Sequence, residues 1–398
     1  MRATKFRGRR IARILLSALA AGAVICGGVT APALAATSLP ETTAPTQLPA
    51  GATTPPIPAP SGFVVAGPFA KWYSQAIATS YGPPIANQSC PSNLLCTQDF
   101  QNGTAFWQPT LDNSNPSAQG VLRTTPTGAK YFADGGYAAL GLPLGEEVCT
   151  APHGGCYQWF EKGITWWSPT TAAATVRTDG FQALYEQKNW AWGPMGYPLG
   201  DINCMGPGGG CYQWFQGGIV WSATSPGYFG SWVHGAIEAK FAQLGWAWGT
   251  LGYPHLEEMC GYGYTDGGCV QYFDNGQIVW SLATGASMIH GAIGWGWLRA
   301  GYYGGIGYPT GDEQCTAPNS GCYQWFQKGV YFWSAATGAH YVKGAIKSTY
   351  EGLGWSWGRL GYPTSDESGA WLGNEIRQDF EHGSITWTPY SGIKVIWR

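Results

Sequence analysis

Acidic residues recur at one position of this sequence. Glu146, Asp201, Glu257, Asp312 and Asp366 each stand three residues after a proline of a Gly-x-Pro step. Glu147, Glu258, Glu313 and Glu367 follow directly in four cases, and Ile202 is the exception. Adjacent carboxyls are the raw material of glycoside hydrolysis, which needs one general acid and one base or nucleophile. That chemistry requires two unlike environments, whereas these carboxyls are copies at equivalent positions. The pattern points first to turn or cap roles, then to contacts with ligand hydroxyls, and least to catalysis.

Two other residue types could carry chemistry. Ten cysteines form five local pairs: Cys90/Cys96, Cys149/Cys156, Cys204/Cys211, Cys260/Cys269 and Cys315/Cys322. Zinc would need a matching histidine or a second cysteine pair beside each, and no such set accompanies the pairs, so short-range disulfides of an exported protein are expected and no metal. Tryptophans recur as Trp190/Trp192, Trp246/Trp248 and Trp355/Trp357 in glycine-flanked loops, with Tyr302-Tyr303 in the corresponding place. If extended, such pairs put both rings on one side, where flat aromatic faces stack on the apolar faces of sugars. Packing between neighbouring segments is the competing role. His234 and His290 share a position with Lys343 and read as surface residues.

These residues are positioned by a repeat. Gln-x-Phe-x-x-Gly starts at Gln98, Gln158, Gln213, Gln271, Gln324 and Gln378, and each copy is followed by a tryptophan: Trp107, Trp167, Trp221, Trp280, Trp333 and Trp387. The glutamines are expected to bond backbone inside their own unit and the tryptophans to pack in the core. A full unit is legible from Gly235. Ile237, Phe241 and Leu244 have helical spacing and Gly245 ends the helix. A loop, an acidic step and a cysteine loop follow, then strands about the turn Asp274-Asn275-Gly276. Such a unit is too small to hold a core alone, so neighbours must share one. Units are expected near 67–134, 135–179, 180–234, 235–290, 291–343 and 344–398, the first lengthened around residues 111–125 and the second stripped of most of its helix. The fold class expected is a repeat protein, α+β or mainly β, with six units of short helix and hairpin closed into a propeller-like ring. Closure would remove exposed strand edges.

The first 35 residues read as a signal peptide: a basic run including Arg2, Lys5 and Arg13, an apolar stretch from Ile14 to Cys26, and cleavage after Ala35. Residues 36–62 form a Thr/Pro-rich linker, and 63–398 the array. The leader holds six of the 21 basic residues and none of the 23 acidic ones, so the remainder is net −8. An acidic surface argues against nucleic acid or anionic lipid as partner, and no membrane span is expected in the mature protein. The sequence contains no G-x-S-x-G elbow, H-E-x-x-H, P-loop or EF-hand loop.

The steps Leu140-Gly141-Leu142-Pro143, Met195-Gly196-Tyr197-Pro198, Leu251-Gly252-Tyr253-Pro254, Ile306-Gly307-Tyr308-Pro309 and Leu360-Gly361-Tyr362-Pro363 resemble the tetrads of the LGFP-repeat family of actinobacterial cell envelopes. Residues 135–398 carry the resemblance, while Tyr81-Gly82-Pro83-Pro84 is a degenerate copy. The resemblance implies envelope attachment to wall polysaccharide of an arabinogalactan-like kind. The reading is a secreted, wall-associated, non-catalytic carbohydrate-binding protein that needs no cofactor and acts through several weak aromatic sites. Its rivals are a wall glycan or peptidoglycan hydrolase using the acidic steps, and a surface protein–protein module.

Overall fold

The computed structural model describes residues 57–58, 62–92, 95–108, 118–223, 230–261, 267–369 and 375–398. The leader, most of the linker and the centre of the 111–125 insertion lie outside the described residues. Among the described residues no helix is long and apolar enough to cross a membrane.

Among the described residues, strand patterning produces six separate antiparallel meanders, five of four strands and one of three. In the fourth, Met259–Cys260, Cys269–Phe273, Gly276–Ser281 and Gly285–His290 pair in that order. The others end in the strands Gln119–Leu122, Thr171–Arg177, Ser231–Val233, Gly338–Lys343 and Gly392–Trp397. Each tetrad proline bridges the phenylalanine of its own Gln-x-Phe, from Pro84–Phe100 to Pro363–Phe380. The tetrad glycine must be glycine: Gly252 has φ +70°, and a Cβ there would collide with the Asp274 carboxylate. That carboxylate accepts the Tyr253 N–H at 2.8 Å, which fixes the turn.

Short helices precede the tetrads. Gly235–Gln243 buries Ile237 and Phe241 as the spacing predicts. The second sheet has its helix too, displaced to Pro126–Ala133, with Thr125 as N-cap. Tyr131 of this helix donates to the Gly141 carbonyl at 2.9 Å, as Tyr185 does to Gly196 and Tyr350 to Gly361. A helix therefore stands ahead of the second tetrad, where most of one was expected to be missing. The displaced start was hidden because a Thr-Pro N-cap replaces the glycine.

Hydrophobic clusters draw on one sheet or on two successive ones. Ile219, Trp221 and Val233 of the third sheet share a cluster with Phe241, Leu251 and Ile278. Val270 and Ile289 of the fourth share one with Phe326 and Tyr331. This is the nearest-neighbour economy of a repeat array. A closed ring is not what the described residues form. The seat at the first sheet that a closing unit would need is filled by Val64, whose carbonyl accepts from Gln98 at 2.9 Å. Val64–Val65 pairs with Ile57–Pro58 in a separate two-stranded ribbon, so a local strand takes the place beside Gln98 that closure was expected to fill.

Candidate functional site

The repeated polar residues meet at the junction between successive sheets. The Gln324 amide donates to the Gly311 carbonyl of its own unit at 2.9 Å and to the Met288 carbonyl of the preceding sheet at 2.7 Å. Gln158 takes Gly145 and Gly120 in the same way, Gln213 takes Gly200 and Thr175, Gln271 takes Leu256 and Trp232, and Gln378 takes Ser365 and Tyr341. The glutamines therefore bond within the unit as expected, and also across it.

The leading carboxylate of four acidic steps accepts from the N–H of the same residue whose carbonyl the glutamine holds. Asp312 accepts from Met288 N at 2.8 Å, Asp201 from Thr175 N at 2.8 Å, Glu146 from Gly120 N at 2.9 Å and Asp366 from Tyr341 N at 3.2 Å. A second donor of the preceding unit completes each: Lys240 for Asp312, Lys130 for Asp201 and His340 for Asp366. Glu257 pairs with Lys188, and Glu146 also accepts from Trp72 and Tyr81. Burial opposes the charged Lys130, but its bonds to Asp134 and Asp201 raise its pKa overall. The trailing glutamates fold back on the residue that opens the helix: Glu258 on His234, Glu313 on His290, Glu367 on Lys343, and Glu147 on Thr127 one step inside the helix. Burial raises the pKa of Glu258 and Glu367. His290 and Glu313 thus form a pair at 3.0 Å, and these histidines belong to the joint rather than to a free surface.

The tetrad tyrosines point the same way. Tyr197, Tyr253 and Tyr362 donate to the carbonyls of Pro152, Pro207 and Pro318, at 2.6, 2.6 and 2.5 Å, in the cysteine loop of the preceding unit. The loops themselves are closed by the five pairs Cys90–Cys96, Cys149–Cys156, Cys204–Cys211, Cys260–Cys269 and Cys315–Cys322. Glu147, Glu258 and Glu313 lie beside three of these pairs, but disulfide sulfurs offer no thiolate to a metal. In the sixth sheet Ile376 replaces the second cysteine opposite Trp387, and both line an open groove of about 430 Å³ with Lys343 and Glu367.

The tryptophan pairs separate into two roles. The first ring is packed: Trp190 is 3% exposed and meets Trp159 edge-on at 5.3 Å. Trp246 meets Trp214 at 5.3 Å and Trp355 meets Trp325 at 5.6 Å, again across the junction. Their backbones are left-handed, with φ of 54°, 57° and 56°, a conformation uncommon for a bulky residue and held here by packing. The second ring is open to solvent. Trp192, Trp248 and Trp357 are 40%, 55% and 53% exposed. Each stands edge-on to a tyrosine of the preceding sheet: Tyr157 at 5.9 Å, Tyr212 at 6.2 Å and Tyr323 at 5.9 Å. The expectation of two rings on one side fails, because the pair forms a turn of 3-10 helix rather than a strand. Tyr302 takes the packed place against Trp297 at 5.1 Å, and exposed Gly304 stands where the open ring would be. The side chain of Tyr303 lies outside the described residues.

The repeated tryptophans after Gln-x-Phe also divide. Trp107, Trp167, Trp280 and Trp333 pair across strands with a cysteine and are only partly buried. Trp221, one residue earlier in its strand, turns to the other face and is buried in the core at 1% exposure. The three partner tyrosines were not singled out in the sequence. Their signal is the step Cys-Tyr-Gln, present at 156–158, 211–213 and 322–324.

A family model described as LGFP repeat matches residues 140–193, 195–249, 251–305, 306–358 and 360–398. No curated protein matches the chain. Solved structures that match include two crystal structures of the extracellular domain of one protein from B. thetaiotaomicron, described as a one-component and as a hybrid two-component system. Both are 10% identical, covering 78% of this chain and 36% of theirs, with TM-scores of 0.13 and 0.12. The extracellular domain of another hybrid two-component system of that organism matches at 8% identity, covering 80% of this chain and 43% of its own, with a TM-score of 0.14. The chain thus spans less than half the length of these proteins, and superpositions this poor carry no argument.

Proposed function

The chain belongs to the LGFP-repeat family, and from that premise we propose that it is an extracellular, non-catalytic module that binds envelope polysaccharide through the open indoles Trp192, Trp248 and Trp357. The observation that carries this is the recurrence of one exposed ring, backed by a tyrosine of the neighbouring sheet, at three junctions. An indole held upright by a second ring loses little freedom when a sugar stacks on it. Each contact is weak, and a polymer that presents many copies of its sugar engages several at once. We take the first sheet as a sixth, divergent unit, because Gln98 donates to the Val64 and Ala86 carbonyls as its counterparts do to theirs.

Secretion with removal of residues 1–35 fits five disulfides in one chain, since such bonds persist outside the reducing cytoplasm. A hydrolase reading has less support. Glu146, Asp201, Glu257, Asp312 and Asp366 are each engaged by donors of the preceding unit, which leaves them poor partners for a scissile bond. The test is retention of the protein on purified wall polysaccharide. Replacement of all three open indoles by alanine should release it. No retention of the parent on purified polysaccharide, with retention on wall-bound protein instead, would favour a protein partner.

A further inference from the structure

The edge strands carry a signature that is filled ahead of the first sheet and open in the sixth. In five sheets, one residue gives its carbonyl to the next unit's glutamine: Gly120, Thr175, Trp232, Met288 and Tyr341. The residue after it, Val121, Val176, Val233, Ile289 or Val342, is wholly buried at 0% exposure. Val64 and Val65 reproduce both features ahead of the first sheet: Val64 serves Gln98, and Val65 is buried at 0% beside Phe69 and Phe100. A ribbon of a few residues thus does what a whole preceding sheet does elsewhere.

In the sixth sheet the register assigns the same two places to Val395 and Ile396, since Val395 pairs with Ile385 as Met288 does with Ile278. Here Ile396 is 47% exposed and Trp397 40% exposed. What covers such a strand is known from five junctions within the chain: a unit that presents Gln-x-Phe.

We propose that the ribbon of Ile57–Pro58 and Val64–Val65 is a self-cap, and that the seat it fills on the first sheet is the docking site for the strand Gly392–Trp397 of a second copy of this chain. The exchange replaces Val64-Val65 by Val395-Ile396, a change of one methylene in the buried position. The two pairs are close in size and apolarity, so the tether decides. A short intramolecular connection holds the cap at an effective concentration in the roughly millimolar range, and copies remain separate below that. Loss of the cap opens a head-to-tail, heterologous contact that propagates.

The test uses residues 36–398 with Val65→Asp, which expels the cap from its apolar seat. Light scattering from micromolar to several hundred micromolar concentration should show the parent as monomer and the variant at twice the mass or more, rising with concentration. Ile396→Asp lies on an exposed residue, and adding it to Val65→Asp should restore the monomer. Should Val65→Asp unfold the first sheet, a protease site placed between Ala66 and Gly67 and cut after folding removes the cap instead, with the same growth in mass expected. A folded, decapped chain that stays monomeric overturns the proposal. So does a monomer in which Trp397 becomes shielded, because the chain's own last strand has then taken the seat. Oligomers that survive Ile396→Asp also overturn it.

Discussion

Gln324 holds Met288 across the boundary between two sheets, donating to its carbonyl at 2.7 Å, while Asp312 of the same later unit accepts the Met288 N–H at 2.8 Å. Both backbone groups of one edge-strand residue are therefore satisfied by its neighbour. Replacing Gln324 by leucine leaves the Met288 and Gly311 carbonyls without a donor in a buried place. Each bare carbonyl costs roughly 1–3 kcal/mol. Because the polar joints of the described residues run between successive sheets, the loss should fall on one joint, and urea unfolding of Gln324→Leu should split into two transitions. A single transition at the parent midpoint would mean the joint is held by apolar contacts alone.

The disulfides act on a smaller scale. Cys315 and Cys322 are seven residues apart and close one loop beside the tyrosine seat of Tyr362. A loop of that size contributes roughly 2–3 kcal/mol by constraining the unfolded chain. The Cys315→Ser, Cys322→Ser double variant should destabilise its region by that amount and leave the amide exchange pattern of the sixth sheet intact, since that sheet has Ile376 where the others have cysteine. Peptide mapping without reductant should recover every pair within its own unit.

Much of this was written plainly in the sequence, and the part that was not has a common cause. Gln-x-Phe, the tetrads and the cysteine pairs are local, so they name the strands, turns and loops that form. The junction is not local. Gln378 reaches back 37 residues to Tyr341, and nothing at either position announces the partner. The roles of the two rings in Trp-x-Trp were likewise hidden, because a spacing of two reads as a strand and the chain instead makes a left-handed step at Trp246. The ring closure expected from edge protection was displaced by a device too short to be recognised, the pair Val64-Val65. Which exposed rings meet a ligand follows from chemistry outside the chain.

Two equivalent histidines should answer pH in opposite senses. The bond to Glu313 raises the pKa of His290, with burial working against it. A raised folded pKa means that the pair's stabilisation is fully present below the ordinary histidine value and fades as pH rises through the folded one. Burial lowers the pKa of His234, the nearby Glu257 offsetting it only in part. Its contribution is present above the ordinary value and is lost as pH falls towards the folded one. His290→Gln should therefore destabilise more at pH 5.5 than at pH 8 (roughly one unit or more either side of the ordinary histidine pKa of about 6.5), and His234→Gln should remove a loss of stability on the acid side. Melting curves of both variants at the two pH values decide it, and parallel behaviour would place the pH response elsewhere.

The open and packed rings give the sharpest contrast between binding and folding. Trp221 is 1% exposed and shares a cluster with Phe241 and Tyr253, so Trp221→Ala leaves a cavity that costs roughly 3–5 kcal/mol. Trp246 meets Phe241 at 5.5 Å and Trp214 at 5.3 Å, so its alanine variant should also loosen the joint. Trp248 touches the same region with one edge and leaves more than half of its surface in water, and Trp248→Ala should melt close to the parent. Retention on wall polysaccharide should fall in Trp248→Ala, but only in part, because Trp192 and Trp357 remain and act on the same polymer. The triple variant at 192, 248 and 357 should lose retention far beyond the sum of the single changes while keeping its melting curve. A triple variant that binds as the parent does would remove these indoles from the binding surface. One that unfolds with Trp221→Ala would return them to the core.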